Sequence, residues 1–155
     1  MPERVLSTRI RTKPPGDLTV LIGFYNKEQS AWIESEGLYN IRIDPKNGLR
    51  NYSTEIMGAK YLLLHGHNEL ETGKIWEIIS DAPELVSKHD LSVKMNYPTE
   101  PSVEHYLVFK IQPVSEGTFG SKTWDIRQLP GYRGSRPSGS PFFATLTSLM
   151  KAAVA

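Results

Sequence analysis

The residues whose type and spacing most plainly suggest chemistry are two histidines, His65-Gly66-His67. On a strand, residues two apart project to one side, so the pair could present two imidazoles to one metal ion. A catalytic zinc would need a third ligand, for which His89, His105, Glu69 and Glu71 are available. No HExxH helix is present, and Gly66 marks a strand already turning, so the pair reads first as strand-end histidines in a polar hairpin. A Mg²⁺-dependent nuclease would need acidic residues and a lysine converging at a strand end. Asp44, Glu55, Glu77 and Lys60 are the raw material, without the compact acid-x-lysine spacing beside a second acid. Ser53, Ser80 and Ser87 sit in no G-x-S-x-G turn. Neither phosphate-loop pattern occurs, which disfavours nucleotide hydrolysis and dinucleotide redox chemistry, and no cofactor is expected.

The second concentration of chemistry follows Pro113, where arginines stand beside aromatic rings on a backbone rich in Gly, Ser and Pro. Guanidinium groups clamp phosphates, aromatic faces stack on unpaired bases, and glycine lets the backbone approach closely. Lys122, Trp124, Arg127, Tyr132, Arg133 and Arg136 supply these groups, with Arg9 and Arg11 in the N-terminal arm. Charge is distributed in the same sense. Residues 1–13 hold four bases against one acid, a net +3. Residues 113–155 hold five against two, again +3, while the body between them has nine bases and fourteen acids, a net −5. If the two ends meet they make a basic face, the footprint expected for a phosphate backbone of DNA or RNA.

With 155 residues, 39% of them hydrophobic, one domain can bury a sizeable core. The absence of cysteine excludes disulfides, thiolate nucleophiles and Cys-ligated zinc. The N-terminus has no apolar leader and the longest apolar runs are too short to span a bilayer, so a soluble, cytoplasmic chain without a membrane partner is expected. The segments read as a basic arm over 1–17, an α+β core over 18–127, a Gly/Ser/Pro/Arg loop over 128–141 and a C-terminal helix over 142–155.

These groups must be positioned by the core. Leu18–Phe24 suits a buried strand. A helix follows over Lys27–Glu36, with Asn26 as N-cap, Gln29 completing a capping-box pair and Gly37 as a left-handed C-cap. Leu38–Ile43 is a second strand, with Leu38, Asn40 and Arg42 on one face and Tyr39, Ile41 and Ile43 on the other. Ala59–His65 and Lys74–Ile79 form a hairpin about the polar loop 66–73, and Tyr61, Leu63 and His65 share a face. Ser87-Lys88-His89-Asp90 is an S-x-x-D cap that starts a short helix near Lys88. His105–Gln112 alternates Tyr106, Val108 and Lys110 against Leu107, Phe109 and Ile111. Thr123–Arg127 is strand-like. Ser140 and Pro141 look like the start of the last helix, whose apolar stripe is Leu146, Leu149 and Met150. It ends in KAAVA without a cap, as a piece of a longer protein would.

This order of elements, with the hairpin AKYLLLHG/GKIWEI, the helix after SDAPELVSKHDL and the strand HYLVFKI, resembles the PUA-like superfamily over about residues 18–127. The resemblance, to domains of the EVE, ASCH, YTH and SRA type, implies a curved mixed β-sheet or partly open β-barrel with two to four helices. It further implies a module that reads RNA or a modified base, as in the specificity domains of bacterial restriction, defence or RNA-processing proteins. A flipped base would be held by aromatic stacking and polar edge contacts, without catalysis. The aromatic residues on the central elements are Trp32, Tyr61, Trp76 and Tyr106, and each also suits a core. Two other readings stay open: a metal-dependent nuclease or hydrolase using His65 and His67, and a protein-interaction module of a larger enzyme.

Overall fold

The computed structural model describes residues 18–43, 54–66, 70–114, 119, 122–129, 132 and 142–154. Strand β1 (Thr19–Phe24) is buried along nearly its whole length, as a β-branched run flanked by strands on both sides must be. Helix α1 (Lys27–Glu36) starts and stops where local chemistry dictates. The Asn26 side chain accepts from the Gln29 amide at 2.9 Å and the Gln29 side chain accepts from the Asn26 amide at 2.9 Å. Gly37 ends the helix at φ 66°, ψ 38°, a left-handed conformation that glycine adopts without penalty.

Beyond α1 come β2 (Leu38–Arg42), the single turn α2 (Thr54–Met57) and β3 (Tyr61–His65). They are followed by β4 (Glu71–Thr72), β5 (Lys74–Ile78) and β6 (Glu84–Ser87). Helix α3 (Lys88–Val93) begins at the anticipated cap, the Ser87 hydroxyl accepting from the Asp90 amide at 3.1 Å. The nine-residue β7 (His105–Pro113) is next, then β8 (Trp124–Asp125) and a 3₁₀ turn over Ile126–Gln128. The described chain closes with β9 (Phe142–Thr145) and α4 (Leu146–Ala152).

The strands lie in the order β2-β7-β5-β3-β1-β9, with β6 also paired to β7 and a separate β4-β8 ribbon. Among the described strands only β1 and β3 pair in parallel. Strand β7 is long enough to hold β2 on one edge while its other edge takes β6 first and β5 after. The result is a strongly curled mixed sheet, a half-barrel with four helices among the described residues, in the expected α+β class. Alternation sorts the side chains into two cores, one per face. Leu21, Leu62, Leu64, Ile78, Tyr39 and Phe109 are in the first. Val20, Ile22, Leu63, Trp124, Ala144 and Leu149 are in the second. No helix among the described residues is long and apolar enough to cross a membrane.

Two expectations need correction. Residues 142–145 are a strand and not the first turn of the last helix, which is capped by Thr145, whose hydroxyl accepts from the Ser148 amide at 3.1 Å. Strand β1 needs a partner on its second edge, and pairing Phe142 with Ile22 and Ala144 with Val20 supplies one. Strand β6 had no counterpart in the sequence reading, because four residues are too few for alternation to show.

Candidate functional site

Three elements converge at one end of the first core to form a cleft. Strand β5 contributes Lys74 and Trp76, which lie on one face because they are two apart. Their register partners are Leu64 and Leu62 on β3, so the four side chains share that face. Helix α1 contributes Ser30, Ile33 and Glu34, three and four residues apart and therefore neighbours on one helical surface. Tyr25, just past β1, closes the lining, and its amide is tied to the His65 carbonyl at 3.0 Å. The cleft encloses about 200 Å³, counting the part open to solvent.

The position of α1 over this cleft is fixed by a buried polar network. The Gln29 amide nitrogen donates to Asn40 on β2 at 3.2 Å and to the Tyr97 phenol at 2.9 Å. Burial pushes the Tyr97 phenol above its ordinary range, so it remains a neutral acceptor. The Trp32 indole donates to the Met95 carbonyl at 2.7 Å and its ring meets Tyr97 edge-on at 4.9 Å. These contacts hold the helix from the side opposite the cleft residues Ser30 and Glu34.

Within the cleft, the Lys74 ammonium donates to the Tyr25 hydroxyl and lies 4.7 Å from the centre of that ring. Tyr25 is buried and Trp76 half-buried. The polar set is chemically divided: an ammonium can only donate, a carboxylate can only accept, and the Ser30 hydroxyl does both. Beside an aromatic wall, such a set suits a flat, polar-edged ligand. No histidine lines it.

Of the residues singled out in sequence, Trp76 lines the cleft, while the described residues of the basic segment, Lys122, Trp124, Arg127 and Tyr132, do not. Trp124 is 0% exposed, its indole donates to the Leu149 carbonyl at 2.8 Å, and Phe119 packs on it edge-on at 5.9 Å. It is a core residue with no face left for a base. Arg127 is exposed, and two of its guanidinium donors hold Asp125, Nε at 2.8 Å and Nη2 at 2.7 Å. That pairing pulls the Asp125 carboxyl below its ordinary range and raises Arg127. Tyr132 is half-buried against Phe142, with ring centres 6.3 Å apart. Lys122 is half-buried beside the Thr123–Val154 bridge. Arg9, Arg11, Arg133 and Arg136 lie outside the described residues.

His65 is 4% exposed, on the sheet face opposite the cleft. Its Nδ1 lies 3.0 Å from the Gly66 carbonyl, which can only accept, so Nδ1 carries the proton. Phe24 packs against the ring at 5.8 Å, and burial lowers the imidazole pKa below its ordinary value. His67, Glu69 and Asp44 lie outside the described residues. Among the described residues no three His, Asp or Glu side chains converge to hold a metal ion.

Tyr25, Ser30, Glu34 and Lys74 were not evident in the sequence as site residues. The available signal was periodicity: 30, 33 and 34 on the face of α1 that carries Ile33, and 74 beside 76 on β5. Compared with protein-family models, with curated proteins and with solved structures, the chain matches none of them.

Proposed function

We propose that this chain is a nucleic-acid-binding module that accepts a single unpaired or flipped base in the cleft between α1 and the β1-β3-β5 sheet, without catalysing a reaction. The observation that carries the reading is the composition of that cleft, whose lining includes Trp76 together with Lys74, Glu34 and Ser30. Bases are flat, apolar on their faces and polar only at their edges, and such a lining complements both.

Phosphate contacts then fall to the basic ends of the chain, which include Arg9, Arg11, Arg133 and Arg136, while the acidic body carries the base pocket. This division fits the PUA-like resemblance, including its role as a reader of modified bases in a cytoplasmic restriction, defence or RNA-processing protein. The test is fluorescence anisotropy with single-stranded, duplex and base-modified oligonucleotides of DNA and RNA. Affinity is expected to fall steeply between about 50 and 200 mM salt. Trp76→Ala is expected to weaken binding about fivefold to a hundredfold, the loss of one stacking contact. Failure to bind every oligonucleotide at low salt would sink the reading.

A further inference from the structure

His65 is the one buried histidine among the described residues, and only half of its imidazole is provided for. The Nδ1 hydrogen goes to the Gly66 carbonyl at 3.0 Å, while Nε2 has no hydrogen-bond partner among the described residues. A neutral ring tolerates this, since Nε2 then carries only a lone pair. A second proton turns Nε2 into a charged donor with nothing to receive it, and an unpaired buried charge is strongly disfavoured.

The elements packed around the ring offer that charge no partner. Phe24, its register partner on β1, meets it edge-on at 5.8 Å. On β5, Lys74 is paired with Leu64 and so lies on the opposite face, where it donates to Tyr25. On β4, Glu71 is exposed, and the buried Thr72 already donates its hydroxyl to the Leu64 carbonyl at 2.8 Å. His67 and Glu69 lie outside the described residues. Two influences act on the His65 proton, burial and the Gly66 carbonyl, and burial is the larger. A protonated ring must therefore reach water. The backbone that moves with it is the last rung of the β1-β3 ladder, where the His65 carbonyl accepts from the Tyr25 amide at 3.0 Å. We propose that His65 is an acid-sensitive latch: protonation at Nε2 frees the end of β3 from β1, releases the Tyr25 amide and loosens the wall that Tyr25 gives the cleft. The latch acts on that wall whatever the cleft binds.

The ordinary imidazole value, 6.5, belongs to the open state, and burial lowers that of the closed state. Opening is therefore least above pH 6.5, rises about tenfold per pH unit below it, and levels off where the closed form itself takes the proton. Hydrogen exchange of the full chain tests this through the Tyr25 amide, once the intrinsic exchange rate at each pH is divided out. At low pH that amide should open at least about tenfold more often than the amide of Phe109 in the middle of β7, the mark of local and not global opening. His65→Gln, whose side chain takes no proton, should remove the slope. In the parent protein the imidazole signals of His65 should titrate where the rise levels off, a measurement that needs no variant. A Tyr25 opening that ignores pH, a slope that survives in His65→Gln, equal opening of Tyr25 and Phe109, or an imidazole that titrates elsewhere would each overturn the latch.

Discussion

Replacing Gly23 by alanine tests how the sheet is held in its curl. Gly23 is on β1 opposite Leu64, on the face that leads to the cleft. A Cβ there would run into the ring of Tyr39, meeting its hydroxyl first, then Cζ at 2.8 Å and Cε2 at 3.0 Å. Tyr39 is rooted on β2, is 2% exposed, and donates its hydroxyl to the Phe24 carbonyl at 2.8 Å, so it joins two strands that are not neighbours in the sheet. It cannot yield without losing that bond. Overpacking of this kind costs about 1–3 kcal/mol. A displaced hydroxyl adds about 0.5–1.5 kcal/mol, and alanine in a strand recovers about 0.5–1 kcal/mol of backbone entropy. The net expectation is a loss of about 2 kcal/mol in urea unfolding, from the same overpacking scale. Tyr39→Phe alone should cost about 1 kcal/mol. Because it also removes the nearest clashing atom, the double variant should lose less than the sum of the two, the remainder reflecting Cζ and Cε2. A Gly23→Ala protein as stable as the parent, or strictly additive losses, would refute this account of the curl.

His65 makes stability depend on pH. Its pKa is lowered from 6.5 by burial, so the folded state binds fewer protons than the unfolded one below that value. Stability should be full above pH 6.5 and fall as pH drops through the folded-state pKa, and His65→Gln should flatten that part of the curve in denaturant titrations. An unchanged slope in the variant would remove His65 as the cause. Asn26→Ala should cost about 1 kcal/mol by loss of the cap of α1. It should also weaken oligonucleotide binding, because the helix carries Ser30 and Glu34, and binding that is untouched in a destabilised protein would argue against α1 as a wall of the site. Trp124→Phe leaves the Leu149 carbonyl without its donor and should cost about 1–3 kcal/mol. It should leave oligonucleotide affinity unchanged at temperatures where the variant is folded, whereas a loss of affinity in the folded variant would return Trp124 to the binding surface.

Local signals survived folding where short-range chemistry decides the outcome. The Asn26–Gln29 box, the Gly37 stop and the Ser87 cap involve residues three or four apart, and each is found where its pattern stood. The same holds for the face alternation of β3 and its hairpin with β5. Where a distant partner decides, the pattern misled. Ser140-Pro141 looked like a helix start, yet residues 142–145 serve the open edge of β1, which lies more than a hundred residues earlier in the chain.

The histidines and the basic loop drew notice because residues of one kind are close in sequence. The cleft draws Tyr25, Ser30, Glu34 and Lys74 from segments that only the fold brings together. Sequence by itself determined the types of β1, α1, β2, β3, β5, α3 and β7, the caps of α1 and α3, the two faces of the central strands and the charge division between body and ends, because those depend on neighbours along the chain. Only the tertiary structure decided that Trp124 is core, that His65 faces away from the cleft, and that Glu34, Lys74 and Trp76 line one cleft. Burial and convergence are properties of the curled sheet, set by where β7 exchanges β6 for β5 along one edge, and no local pattern encodes that exchange.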